Sequence, residues 1–172
     1  MKRFGKYLFY ALLFLWFAII FTPKDLLYYK GERLVKDNVV ISNEVVLDEW
    51  IRMIVESGEI FAKGIKVGSF SKVALYPELW VNVLEMEGFS LDKALPMELT
   101  IDRLFVVYTP FYPIKLFLKG EGSIGTLNGW IDLRKRQVRI DIASKKQLDR
   151  MWQGIAKVEK VKEGLYRYEY RF

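Results

Sequence analysis

The residue types that carry out acid–base and nucleophilic chemistry are unevenly represented in this chain. Its 172 residues include no histidine and no cysteine. Histidine is the commonest general base and metal ligand, and cysteine supplies thiolate nucleophiles and disulfides. Serine–histidine–aspartate triads, cysteine–histidine pairs and HExxH zinc sites are therefore excluded. Any catalysis would depend on carboxylates, lysine or tyrosine.

Three pairs of carboxylates are spaced closely enough to share acid–base work. They are Asp48 with Glu49, Glu85 with Glu87, and Asp132 with Asp141. The last pair would lie on the polar side of one hairpin, together with Arg134 and Arg139. Because opposite charges on one exposed sheet face usually form solvated ion pairs, we predict such a face here. We expect a protein that is not an enzyme and uses no cofactor or metal, and a carboxylate-based hydrolase of envelope glycans is the enzymatic alternative.

Two further groups of residues are candidates for contact with a partner or a lipid. The turn formed by Arg134, Lys135 and Arg136 could bind lipid phosphates or an acidic protein, or could be an ordinary solvated turn. Near the C-terminus, tyrosines alternate with charged residues, which places one type on each side of a strand. These tyrosines, which could line an apolar groove or pack in the core, are Tyr166, Tyr168 and Tyr170.

Short β-strands would position these candidates. From residue 57 onward, apolar residues alternate with polar ones in short runs, and Gly58, Gly64, Gly68 and Gly88 are predicted to mark turns. The clearest hairpin spans residues 130–142, where the alternation changes phase across the turn at Arg134–Gln137. Because a slip of one residue would invert both of its faces, its register is well determined.

Helical signals are few after the N-terminus. Ser144 and Gln147 form a capping box ahead of apolar residues at helical spacing, which predicts one short helix near the C-terminus. Residues 23–38 are ambiguous between an interfacial segment and a first strand. Since strands and helices do not alternate, the sequence predicts a mainly β fold with an antiparallel jelly roll or curved sheet.

The stretch from Tyr7 to Phe21 contains fifteen residues without a charge. Extended to Phe4, it approaches the lower length limit for a membrane-spanning helix, and Pro23 is predicted to end it. Basic residues precede the stretch, so the positive-inside rule places the N-terminus in the cytoplasm and residues 23–172 in the periplasm. The predicted anchor residues are Tyr7, Leu12, Trp16 and Phe21, and the topology determinants are Lys2, Arg3 and Lys6.

We therefore divide the chain into an anchor, residues 1–22, and a periplasmic β-rich domain, residues 23–172. A cleaved signal peptide and a buried core helix are the alternatives for the apolar stretch, although residues 20–23 offer no small-x-small cleavage site. The net charge of +6 resides mainly in the first six residues and in residues 145–172. The body of the domain is nearly neutral and has no basic stripe, so a nucleic-acid partner is not expected.

One membrane helix followed by glycine-rich turns and short strands resembles a known family. The segment GEGSIGTLNGWIDLRKRQVRIDI passes through glycines into a strand, a turn and a second strand. It is similar to the type II secretion system protein N family, a relative of the AsmA-like envelope proteins, mainly over residues 110–142. The architecture is also similar to that of the lipopolysaccharide-transport protein C family.

The resemblance implies a non-enzymatic, single-pass inner-membrane accessory of an envelope-spanning secretion or pilus-like apparatus. Its periplasmic β domain would bind other transport-machine proteins by edge-strand pairing or an apolar face. The alternative is a membrane-anchored lipid or lipopolysaccharide-transport protein that holds acyl chains in a β groove. This second hypothesis predicts an unfilled apolar surface on the sheet and lipid that is retained on purification.

Overall fold

The computed structural model of the protein describes residues 2–35, 39–95, 98–144 and 158–172. Two helices come first, α1 (Lys2–Phe21) and α2 (Lys24–Val35). Eleven strands follow: β1 (Val39–Ser42), β2 (Val45–Asp48), β3 (Met53–Ala62), β4 (Ile65–Pro77), β5 (Asn82–Leu91), β6 (Thr100–Tyr108), β7 (Lys115–Gly122), β8 (Gly125–Asp132), β9 (Gln137–Ala143), β10 (Glu159–Lys162) and β11 (Leu165–Arg171).

The eleven strands form a single antiparallel sheet. Strands β3 to β9 neighbour one another in chain order, β11 and then β10 continue the sheet beyond β9, and β1 and β2 both pair with the outer side of β3. The prediction of a mainly β, antiparallel fold is confirmed. A jelly roll would pack two sheets against each other. The described strands instead form one sheet, because short turns connect consecutive strands, which then pair with each other.

The hairpin predicted from the alternation is confirmed, except that Leu133 lies in the turn and Gln137 begins β9. Strands β8 and β9 pair Trp130 with Arg139 and Ile131 with Val138. The chain turns over residues 133–136, and Arg136 adopts a left-handed backbone conformation with φ of 51°. The tyrosines of β11 continue the same face, because Tyr166, Tyr168 and Tyr170 pair with Ile142, Ile140 and Val138.

Helix α2 occupies the place of the first strand that was one expectation for residues 23–38, and the alternative, an interfacial segment, stays a prediction. Pro23 lies between the two helices, where it interrupts α1 but is compatible with the start of a new helix. Asp25 in the first turn and Arg33 in the last turn suit the helix dipole. The side chain of Tyr28 packs against the cluster of Met53, Val55 and Phe70, and α2 also contacts β1 and β2.

The sequence also predicts a short helix near the C-terminus and a membrane-spanning helix at the N-terminus. The short helix predicted near the C-terminus falls on residues 145–157, which lie outside the described residues. Among the described residues, no single helix meets the length and hydropathy requirements for crossing a bilayer. The segments Phe4–Ile19 and Lys24–Lys30, which meet at an angle of 70°, satisfy those requirements as a pair.

Two hydrophobic clusters form the core, and both depend on a change of side-chain direction within the strands. Residues three apart in a regular strand point to opposite faces. Nevertheless Phe70 and Val73 of β4 belong to one cluster, as do Met86 and Phe89 of β5. Ile101 and Leu104 of β6 likewise share the second cluster. Each of these three strands therefore switches the face that carries its apolar side chains.

Left-handed backbone conformations occur at the switch in β5 and in the neighbouring strand β3, and in β6 the register with β7 shifts between Ile101 and Arg103. Ser57 of β3 has φ of 57° and Gly88 of β5 has φ of 63°. Gly58 and Gly68 lie inside strands, whereas Gly64 lies in the turn between β3 and β4. The sequence prediction that Gly58, Gly68 and Gly88 mark turns is therefore wrong. Glycine in a strand interior often marks a bend or close packing, and the Phe70 ring occupies the space where a Cβ at Gly58 would stand.

Candidate functional site

Five of the six carboxylates singled out in the sequence form ion pairs, whereas Asp132 is buried and accepts a hydrogen bond from the backbone N–H of Lys135. Arg103 contacts Glu85 at 3.4 Å and Glu87 at 3.1 Å. Asp141 accepts a hydrogen bond of 2.7 Å from Arg167, which raises the pKa of that guanidinium. Asp132 and Asp141 are not cross-strand partners, since Asp132 pairs with Gln137 in the β8–β9 register. The predicted ion-paired face is present on this side of the sheet.

The third pair, Asp48 and Glu49, binds two different basic residues. Asp48 pairs with Lys24 at 3.5 Å. Glu49 accepts a hydrogen bond of 2.6 Å from Arg52, which lowers the pKa of its carboxyl. Within the described ranges, no three acidic side chains are grouped so that they could hold a metal ion.

The opposite face of the sheet is apolar across eight strands, and this apolar face is the candidate site. Cross-strand pairing places its residues in three rows, because directly paired residues share a face. Row 1 comprises Val55, Val73, Met86, Leu104, Gly120, Leu127, Ile142 and Tyr166. Row 2 comprises Met53, Leu75, Leu84, Val106, Leu118, Gly129, Ile140 and Tyr168. Row 3 comprises Pro77, Asn82, Tyr108, Leu116, Ile131, Val138 and Tyr170.

Burial decreases from row 1 to row 3. On β11, Tyr166 is 1% exposed, Tyr168 is half-buried and Tyr170 is 53% exposed. On β9, Ile142 is buried, whereas Val138 is half-buried. Every residue of row 3 is half-buried or exposed, and none is among the described members of the two core clusters. The apolar face is thus packed at the row 1 end and open at the row 3 end.

The open end of the face is the end at which α1 meets the sheet. The ring of Phe21, the last residue of α1, lies 6.2 Å from that of Trp50, which precedes β3. Strand β3 begins at Met53 in row 2, and β4 ends at Pro77 in row 3. An apolar helix and an apolar sheet face therefore meet at one end of the molecule.

A buried lysine joins the helices to this end of the sheet. Lys24, the first residue of α2, is 3% exposed. Its ammonium donates to the carbonyl of Trp50 at 3.1 Å and pairs with Asp48, while its backbone N–H donates to Asp48 Oδ2 at 2.9 Å. A carboxylate from the end of β2 thus satisfies a free N–H at the start of α2. We call these three residues, Lys24, Asp48 and Trp50, the helix joint.

The side of the sheet that carries the ion pairs of Arg103 and Arg167, which we call the charged face, has a shallow groove. It has a volume of about 560 Å³ and lies over β6, β7 and β8. Phe105 and Val107 form part of its wall, and Arg103 lies 6.0 Å from the Phe105 ring. Because Arg103 is already paired with two glutamates, this groove offers no free cation from that residue to an anionic ligand.

The structure separates the residues that the sequence analysis selected into three places. Tyr7, Leu12, Trp16 and Phe21 lie on α1, where Tyr7 and Phe21 are 71% and 66% exposed. Lys2, Arg3 and Lys6 lie in the first turns of α1, and the Lys6 ammonium is 5.7 Å from the Tyr10 ring. Arg134, Lys135 and Arg136 are exposed on the β8–β9 turn, and the three tyrosines extend across all three rows of the apolar face.

Sequence reasoning missed the helix joint and the alignment of the rows. A lone Lys24 beside a proline carries no signal of its distant partner, and the alternation in each strand does not specify its neighbours. Comparisons with protein-family models, curated proteins and solved structures give no significant match. The resemblance to the type II secretion system protein N family therefore rests on residues 110–142 of this sequence.

Proposed function

We propose that the protein is a single-pass, membrane-anchored lipid-binding component of the cell envelope, which accommodates acyl chains on the open part of its apolar face. The observation that carries this proposal is the continuity of rows 2 and 3 with the end of the sheet where α1 is attached. Rows 1 to 3 contain no charged residue, and Asn82 and the hydroxyls of four tyrosines are their polar side-chain groups. Such a surface matches the chemistry of hydrocarbon chains.

Energetic considerations support an apolar occupant. Burial of apolar surface contributes about 25 cal/mol per Å², and each buried methylene of a lipid about 0.8 kcal/mol. Soluble monomers rarely leave contiguous apolar patches larger than a few hundred Å² exposed. A sheet whose apolar side chains become steadily more accessible toward row 3 gains stability when acyl chains cover them.

The proposed topology follows from the first helix. Lys2, Arg3 and Lys6 precede the apolar stretch, so α1 enters the inner membrane with its N-terminus in the cytoplasm. The sheet then lies on the periplasmic side, and its open end lies against the bilayer from which a lipid would enter. A cleaved signal peptide would separate the sheet from the membrane, and protease protection in spheroplasts distinguishes the two.

Adjacent positions on β7 provide a matched test. Leu118 lies in row 2 on the apolar face, and Lys119 lies on the charged face. We expect a photoreactive p-benzoylphenylalanine in place of Leu118 to form covalent adducts with phospholipid in native membranes, and the same residue in place of Lys119 to form far fewer. Mass spectrometry of the gently purified protein measures both. Equal adducts at the two positions, or none at either, would refute the proposal.

The accessory-component hypothesis stays a prediction, and one observation weighs against its edge-strand form. Strand β10 is at the margin of the sheet, and each of its four residues is exposed. Three of these four, Glu159, Lys160 and Lys162, are charged. Charges on an edge strand discourage pairing with another chain. Crosslinking in native membranes tests this hypothesis, which requires recovery of a secretion-machine subunit.

A further inference from the structure

We propose that the loops at the open end of the sheet lie in the interface of the same bilayer that holds α1, and that the β8–β9 turn binds anionic phospholipid headgroups there. We call these loops the membrane rim, which comprises residues 49–52, 78–81, 109–114 and 133–136. The proposal shares with the proposed function the placement of α1 in the membrane, but it does not require a lipid on the apolar face.

The first observation is the concentration of exposed apolar side chains on the rim. Segments far apart in sequence contribute them, and all of these segments adjoin row 3 or the start of β3. Their exposed members are Trp50, Ile51, Trp80, Val81, Phe111, Tyr112, Ile114 and Leu133. Of the described residues in the turns and strand ends at the opposite end of the sheet, the large exposed apolar ones are Ile65 and Val161.

The composition of the rim fits a bilayer interface in particular. Tryptophan and tyrosine are enriched where acyl chains meet headgroups, because their rings are apolar with one polar atom. Trp80 and Phe111 come from different loops and stack with their centroids 5.8 Å apart. Phe21 at the end of α1 contacts Trp50 of the rim, so the apolar surface of the predicted anchor continues onto the loop of residues 49–52.

The second observation is a pocket in which aromatic and basic side chains meet. It has a volume of about 330 Å³ and lies between the β6–β7 loop and the β8–β9 turn. Phe111, Tyr112, Pro113 and Ile114 line one side, while Lys115, Arg134 and Lys135 supply positive charge. Basic side chains near a membrane surface attract anionic lipid, and the apolar wall suits the first methylenes of the chains.

Hydrogen bonds hold the pocket in a defined shape. The N–H of Leu133 donates to the carbonyl of Ile114 at 2.8 Å, which ties the turn to the loop. The N–H of Lys135 donates to Asp132 Oδ1 at 2.8 Å, and Asp132 is 5% exposed. Because the Asp132 carboxylate accepts the backbone N–H of Lys135, it orders the turn. The side chains of Arg134, Lys135 and Arg136 are exposed.

A unique label can report on the depth of the rim, because the natural chain has no cysteine. Phe111→Cys places a fluorophore on the rim, and Ile65→Cys is the matched control, since Ile65 is similarly exposed, at 64%, on the opposite end of the sheet. The full chain is reconstituted in nanodiscs that contain brominated phospholipid. We expect strong quenching at position 111 and little at position 65. Equal quenching at both positions would overturn the placement of the rim.

The basic turn is tested with the same label. Nanodiscs of phosphatidylcholine alone are compared with discs that also contain phosphatidylglycerol. Quenching at position 111 should increase with the anionic lipid, and the variant Arg134→Gln/Lys135→Gln/Arg136→Asn should abolish that increase. Asparagine is chosen at position 136 because it tolerates the left-handed backbone there. Removal of three cations corresponds to roughly a hundredfold weaker attraction to the anionic surface.

The outcomes separate this inference from the proposed function. Quenching of the rim without phospholipid adducts at position 118 would support the rim and reject lipid binding on the sheet. An unchanged response of the triple variant to phosphatidylglycerol would reject headgroup binding by the turn. Accessibility of position 111 to aqueous iodide in both kinds of disc would reject the rim and leave an acidic protein as the partner to seek.

Discussion

The helix joint should make a large contribution to stability, and it can be tested by removing one charge. Asp48→Asn retains a side-chain oxygen that can accept the backbone N–H of Lys24, so the cap of α2 is preserved. What is lost is the negative charge beside an ammonium whose side chain is 4% exposed. We therefore expect Asp48→Asn to destabilise the protein, because the buried ammonium of Lys24 loses the neighbouring charge of Asp48.

The magnitude follows from the burial of the two partners. Removal of one member of a fully buried ion pair costs about 3–5 kcal/mol, because the remaining charge is left in a medium of low dielectric constant. Asp48 is 30% exposed and the ammonium retains the carbonyl of Trp50. The cost should therefore be lower, about 1.5–3 kcal/mol, the range for a hydrogen bond to a charged group.

The assay is urea unfolding of the full chain in detergent, followed by circular dichroism of the sheet. Glu49→Gln is the control, because Glu49 is adjacent and its pair with Arg52 is exposed to solvent on both sides. The double variant Lys24→Met/Asp48→Asn should be more stable than Asp48→Asn alone, since it also removes the buried ammonium that has lost the charge of Asp48. If Asp48→Asn and Glu49→Gln have equal effects, or if the double variant is the least stable, the reasoning is wrong.

Three further predictions concern the sheet. Gly58→Ala should lower the free energy of unfolding by about 1–3 kcal/mol, because a Cβ there would overlap the buried ring of Phe70; an unaltered urea midpoint would contradict this. Tyr166→Ala should cost about 3–5 kcal/mol, whereas truncation of the exposed outermost tyrosine on the same strand should be nearly neutral. The hydrogen bond from Lys66 lowers the pKa of the Glu59 carboxyl below its usual value of 4.5. The ionised carboxylate therefore stabilises the fold above pH 4.5, and this stabilisation is lost as the pH falls through the lowered pKa. Glu59→Gln should therefore show a shallower loss of stability below pH 4.5 than the natural protein, and parallel curves would refute this.

Local patterns in the sequence were sufficient for several features. Alternation fixed the β8–β9 hairpin and the common face of Tyr166, Tyr168 and Tyr170, because the two-residue period of a strand is a local property. The pairing of carboxylates with arginines was also predictable, since Arg139 and Asp141 lie on the polar side of that hairpin. The face switch was not predicted, because a serine at position 57 gives no sign of its left-handed backbone.

What the sequence alone determined is the chemistry that is absent and the presence of an apolar first helix followed by alternating strands. The tertiary structure decided that α2 is a helix, that Lys24 meets Asp48, and that four separate apolar segments lie at the end of the sheet where Phe21 of α1 contacts Trp50. The physical reason is that side-chain alternation depends on neighbouring residues, whereas the ends of a strand are positioned by its register with other strands. In a meander of nearly equal hairpins, every second turn lies at the same end, and this alone brings Trp80, Phe111 and Leu133 together.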